Sequence, residues 1–272
     1  LIFIFTGIMS LAYANDTQHD ELVNHAIMAS GIDQQVASFD QVLSNSINQV
    51  IALDDKLNGS EREYLNSIFT SNFSSQKFLE DFKKILSTNL TDNDLITKLA
   101  IYNNLVIKKF IEAEIAHSKP DAMQDFMIYA AKIGQNPPGK ARLELIKRLD
   151  TATKTSEATK IMTVHMFETM VTNMNILHPK FTAEKLERMI NNYAIVVERT
   201  VSNQVILGYL YTYKDFTDKE LDSYVKLYET NTGLKKFNDT LLFAINDYFD
   251  GYAIRVANDM IDFIKLQGSY NT

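Results

Sequence analysis

Apolar residues recur along nearly the whole chain at intervals of three and four, the repeat of an α-helix that buries one stripe. His19–Ala29 aligns Leu22, Ala26 and Ile27 and closes at Gly31; Val36, Phe39, Leu43 and Ile47 follow from an expected cap at Asp33 and run through Leu53. Tyr64, Leu65, Ile68 and Phe69 form the next stripe, behind a capping box read at Ser60–Glu63. Phe78, Leu79, Phe82, Ile85 and Leu86 form another behind Ser74 and Ser75. Later stripes carry Met123, Phe126, Met127 and Ala130; then Leu143, Ile146 and Leu149; then Leu186 to Leu207 behind Thr182; then Leu241 to Ile264. No segment alternates with period two and no hairpin signal occurs. The prediction is all-α, an array or bundle of about ten to twelve amphipathic helices.

The stretch Phe216–Phe237, FTDKELDSYVKLYETNTGLKKF, organises the back of the chain. Thr217 and Glu220 form a capping box, and Asp218, Glu220 and Asp222 place negative charge at the positive end of the helix dipole. Leu221, Tyr224, Val225 and Tyr228 then make one buried stripe. Thr230–Gly233 reads as a stop, with Gly233 expected in the left-handed conformation. Thr91–Phe110 is an earlier copy: Thr91, Asp92, Leu95 and Tyr102 fall on Thr217, Asp218, Leu221 and Tyr228, and Lys108-Lys109-Phe110 falls on Lys235-Lys236-Phe237 after a one-residue gap. The first copy is expected to run on as one helix, and two pseudo-repeated halves are one reading of the fold. Each copy is expected to pack on the helix before it, through Phe82, Ile85 and Leu86 in front and Val205, Leu207 and Tyr211 behind. The strongest break, Gly134–Gly139 (GQNPPG), divides residues 15–134 from 135–272; it reads equally as a domain boundary or as a hinge in one continuous domain.

Composition changes this picture at the N-terminus. Leu1–Ala14, LIFIFTGIMSLAYA, is uncharged and ends in Ala-Tyr-Ala, so residues 1–14 read as the remnant of a signal peptide and the mature protein as periplasmic. No later segment holds 18 uncharged apolar residues, so no transmembrane segment is expected. The absence of cysteine excludes a disulfide framework, thiolate catalysis and sulfur-based zinc sites. A net charge of −7 without a long basic run argues against nucleic acid as a partner.

Candidate chemistry is sparse. The histidines are His19, His25, His117, His165 and His178, and none forms HExxH. His165 and Glu168 share a helix face, as a carboxylate–histidine site or a surface histidine beside an acid would. Met162, Met166, Met170 and Met174 recur every four residues; thioethers can hold Cu(I), but four residues turn a helix by about 400°, so the row winds round the axis and core filling is the plainer reading. GxSxG, GxxxxGK[ST] and GxGxxG are missing. No catalytic, cofactor-binding or metal residue is assigned.

Two segments resemble a known family. Tyr213–Gly233, with its acidic capped helix ending in an aromatic-x-Thr-x-x-Gly turn, and Ala141–Thr153 (ARLELIKRLDTAT) are similar to segments of a family of exported, all-helical bacterial proteins of unknown function. Thr232 stands where that family usually has proline before the glycine. The resemblance implies export and a helical fold, and brings no catalytic residues. The functional expectation is therefore an exported helical protein that acts by binding an envelope protein or its own copy. The alternatives are a carrier of an apolar ligand in a Met- and Phe-lined cavity, or a cell-wall hydrolase whose carboxylate pair only the fold would reveal.

Overall fold

The computed structural model describes residues 18–52, 58–177 and 179–270, and these are helical with no strand. Leu1–Ala14, which the sequence reads as a signal remnant, lies outside the described residues, as do Leu53 and His178. In chain order the helices are α1 (18–30), α2 (Ile32–Ala37), α3 (Phe39–Ala52), α4 (Gly59–Ser71), α5 (Ser75–Asn89), α6 (Asp92–Tyr102), α7 (Leu105–Ser118), α8 (Ala122–Gln135), α9 (Lys140–Thr153), α10 (Thr155–Leu177), α11 (Ala183–Thr212), α12 (Asp218–Thr230) and α13 (Thr232–Tyr270). Among the described residues no helix is long and apolar enough to cross a membrane.

Local chemistry sets most boundaries. Thr91, Thr217 and Asn58 each accept a first-turn amide with the side chain and donate their own backbone amide to the carboxylate of Asp94, Glu220 and Glu61. The box of α4 therefore begins at Asn58, two residues before the expected Ser60, because asparagine caps at least as well as serine. Ser74 and Thr182 cap α5 and α11. Thr217→Ala should cost about 1 kcal/mol in urea unfolding by stranding the Glu220 amide; an unchanged midpoint would show that the cap carries no weight.

Three expectations are corrected. Gly233 is not left-handed, since the positive-φ glycine among the described residues is Gly31. Helix α12 ends instead because Asn231 turns extended (φ −89°, ψ 113°), and its Oδ1 accepts the Leu234 amide to start α13. The first copy does not run on: α6 stops at Tyr102, and Asn104 turns extended with its Oδ1 accepting from the Val106 amide. Asn104 and Asn231 occupy matching places in the two copies, each offering the backbone a local bond that competes with the helix. Cap, buried leucine (Leu95, Leu221), asparagine break and buried phenylalanine (Phe110, Phe237) are thus common to both. Their neighbours differ. Helix α6 packs chiefly on α13 and α7, and α12 on α9 and α13, rather than each on its predecessor. The back residues in the cluster that α12 joins are Ile206, Tyr209, Leu210 and Tyr213, not Val205, Leu207 and Tyr211.

Other boundaries also shift. Gly31, not Asp33, precedes α2, and Ser38 separates α2 from α3. Met123 and Met127 of α8 are 45% and 62% exposed rather than inward, because the Tyr129 hydroxyl donates to the Leu210 carbonyl and turns Phe126 and Tyr129 toward α11.

Two clusters of buried side chains result. The first joins Val23, Phe78, Phe82, Leu86 and Leu95 to Phe237, Tyr248, Tyr252 and Val256 of α13. At the turn between α4 and α5, the Tyr248 hydroxyl accepts from the Ser74 amide and donates to its carbonyl. Arg255 donates to the Asn72 carbonyl beside it. The second cluster gathers Tyr102, Ile107 and Phe110 with Ile146, Leu149, Leu210, Tyr213, Leu221, Tyr224 and Leu234. At its centre Phe110 is stacked between Phe216 and Tyr224, with ring centroids 4.0 and 4.1 Å away.

Candidate functional site

Helix α7 carries Phe110, Glu114 and His117 at spacings of four and three, so an acid lies on the face that the helix buries. Glu114 Oε1 accepts two hydrogen bonds, from the Tyr213 and Tyr224 hydroxyls, both at 2.7 Å. The Tyr228 hydroxyl lies 3.3 Å from that of Tyr224 and also meets Tyr102. These groups border a cavity of about 360 Å³, which Tyr209, Leu149, Thr153, Thr155, Leu234 and Phe237 also line. Glu114 keeps some accessible surface for that reason, although it sits inside the helical array.

Burial sets the electrostatics. It raises the pKa of Glu114, against the two tyrosine hydroxyls that favour its charged form. Burial pushes Tyr209 up to about 12, and Tyr213 and Tyr224 well above the ordinary tyrosine value. His117 goes down for the same reason, with its ring against Tyr211 and Phe126. The tyrosines are therefore hydroxyl donors at any physiological pH, and the site has polar teeth in an aromatic wall. Thr153 and Thr155 both bond the Tyr209 hydroxyl, at 2.9 and 2.6 Å, and fix that ring.

Segments Ala141–Thr153 and Tyr213–Gly233, both noted in the sequence, build this site together. Arg142 of α9 donates to the Phe216 carbonyl, to Asp218 and to the Tyr213 carbonyl, closing the turn between α11 and α12. Arg148, one face along, bonds Asp222 at 2.9 Å and both carboxyl oxygens of Glu229. The acidic residues expected at the start of α12 are thus engaged in caps and ion pairs. Asp218 and Asp222 pair with arginines, and Glu220 closes its own box. Their clamp delivers Tyr213, Tyr224 and Tyr228 to Glu114.

No protein-family model, curated protein or solved structure matches the chain.

The residues singled out in the sequence lie elsewhere. His165 pairs with Asp250 of α13 at 2.9 Å on an exposed face and makes no site with Glu168. Met166 and Met170 pack against the first core, and none of the four methionines of α10 lines the cavity. Among the described residues no group of three or more His, Cys, Asp or Glu is placed to hold a metal ion. His19 does something different: its Nδ1 meets Asp92 and its Nε2 the Ser87 carbonyl. Both partners only accept, so the ring makes both bonds as imidazolium, and the Asp92 bond raises its pKa. It ties α1 to the last turn of α5 and the first residue of α6.

Glu114 escapes the sequence reading because its segment reads only as the run-on of the first copy's helix. The available signal was an acid between Phe110 and His117, at spacings of four and three. Tyr224 and Tyr228 were read correctly as inward-facing, but their hydroxyls have a destination that periodicity does not show.

Proposed function

We propose that this protein is an exported, periplasmic member of the helical family it resembles, and that it works as a small-molecule binding protein through the cavity beside Glu114. The observation that carries this reading is the cavity itself, about 360 Å³ in volume, with a carboxyl group and five tyrosines among its lining residues. A site of this kind, apolar in body with a few convergent polar groups, is what small-ligand recognition requires, and the volume sits near the lower end of such sites, about 300 Å³. A filled core would have packed the same space with leucine. The lining is richer in tyrosine and threonine than in methionine or phenylalanine, which favours a ligand that makes hydrogen bonds.

Gly208 offers the test. It lines the cavity, and a Cβ there would meet nothing within 4 Å. Gly208→Phe should occupy the space without moving the backbone. In a thermal-shift screen of small fragments, compounds that stabilise the parent are expected to lose their effect in Gly208→Phe. Equal shifts in both proteins would place the binding elsewhere and overturn the reading.

Binding of an envelope protein or a second copy is a second reading, favoured by one feature. Helix α8 buries none of its residues and exposes Met123, Met127 and Ile128. Rows of apolar side chains left in water are a common mark of protein contact.

A further inference from the structure

Glu114 is an acid enclosed by the helices without a basic partner. Among the described residues no lysine or arginine lines its cavity, and no salt bridge reaches it. Of the acids on α12, Asp218 pairs with Arg142, Asp222 and Glu229 pair with Arg148, and Glu220 closes its own capping box. The two hydroxyls that do reach Glu114 converge on Oε1 alone. Oε2 makes no hydrogen bond among the described residues, while the carboxyl group lines the cavity.

We propose that the cavity takes an organic cation, a primary amine or guanidinium, whose charged head donates to Glu114 Oε2 and whose body lies among the tyrosine rings. This rests on the reading of the cavity as a ligand site. The chemistry selects that class in three ways. A carboxylate removed from water without a counter-ion is costly, and a bound cation supplies the missing partner. Tyrosine faces attract cations through the ring quadrupole, and the attraction grows when water is excluded. An anionic ligand would find no Lys or Arg on the lining and would meet Glu114 instead. The space suits a compact molecule such as an aryl-ethylamine or a short diamine.

The experiment is calorimetric titration of the full mature chain with tyramine, agmatine and cadaverine. Tyramine is set against tyrosol and cadaverine against 1,5-pentanediol, neutral probes of similar shape, and agmatine tests the guanidinium head. At least one amine is expected to bind at least tenfold more tightly than its neutral counterpart. Glu114→Gln should abolish that preference. Gly208→Phe keeps every hydrogen bond of Glu114 and should abolish binding by occupying the space, so the test does not depend on Glu114→Gln folding. If neutral probes bind as well as the amines and both are lost in Gly208→Phe, the cavity is a ligand site but the cation assignment is wrong. If no amine binds, the assignment is overturned as well, and the fragment screen decides separately whether the cavity binds anything. Amine binding that survives in both variants would overturn it too.

Discussion

Gly31→Ala is expected to lower stability by about 2–5 kcal/mol. Two independent costs add at this position. Gly31 has φ +68°, where an L side chain crowds its own carbonyl, which costs roughly 1–2 kcal/mol. An added Cβ would also lie 2.6 Å from Ile115 Cδ1, 2.8 Å from Ile115 Cγ1 and 3.0 Å from Ile111 Cγ2. The turn between α1 and α2 presses directly on α7, so the methyl group has nowhere to go until Ile115 rotates away. Overpacking of that kind costs about 1–3 kcal/mol. The two parts separate in a double-mutant cycle with Ile115→Ala. In that background most of the steric part should vanish, with only the 3.0 Å approach to Ile111 left, and the backbone part remain. Urea unfolding measures both. A Gly31→Ala protein with the parent's midpoint would refute the left-handed turn and the close approach together.

Lys98→Met is expected to stabilise the protein by about 1–3 kcal/mol at pH 7, the usual cost of one buried unsatisfied polar group. Lys98 is fully buried on α6, and its Nζ has no hydrogen-bond partner among the described residues. It lies against the rings of Phe237 and Tyr102, the latter with its centroid 4.7 Å away. Cation–π attraction offers about 2 kcal/mol when desolvated, against several kcal/mol lost in taking an ammonium out of water. Desolvation wins, and burial holds the amine's pKa well below 10.5. The sign of the pH effect follows. Between the folded-state pKa and 10.5 the unfolded chain carries this proton and the folded chain does not. Stability therefore rises with pH across that window, at about 1.4 kcal/mol per unit for this group. Above 10.5 both states are neutral and the penalty disappears; below the folded-state pKa both are charged and it is complete. The stability gap between Lys98→Met and parent should accordingly narrow as the pH rises toward 10.5. A methionine variant less stable than the parent at pH 7 would mean that the amine has a favourable role.

Lys98 also shows how far periodicity reads. Leu95, Lys98, Leu99 and Tyr102 share one helical face, and Lys98 sits where the second copy has Tyr224. A lysine in that register reads as an error in an otherwise clear stripe, yet the chain buries it. Glu114 is the same kind of exception on the next helix. Both are polar residues at apolar positions, and such mismatches are where local rules give way to the needs of a site. The breaks at Asn104 and Asn231 were harder to read because asparagine is tolerated inside a helix. Only the geometry shows that each side chain caps the helix that follows.

The sequence by itself determined that the described chain is helical, where most of its helices start, and which faces turn inward. Those properties depend on groups three or four residues apart: the Thr217–Glu220 box closes over three residues, and a buried stripe repeats every turn. The candidate site depends on meetings at another scale. Tyr213 reaches Glu114 across 99 residues, Tyr224 across 110, and Arg142 reaches Asp218 across 76. Periodicity along one helix records that a side chain is buried and carries no information about which other helix it faces. Packing alone decided that the acid of α7 and the tyrosines around α12 would share one cavity, with the arginines of α9 clamping α12 beside it.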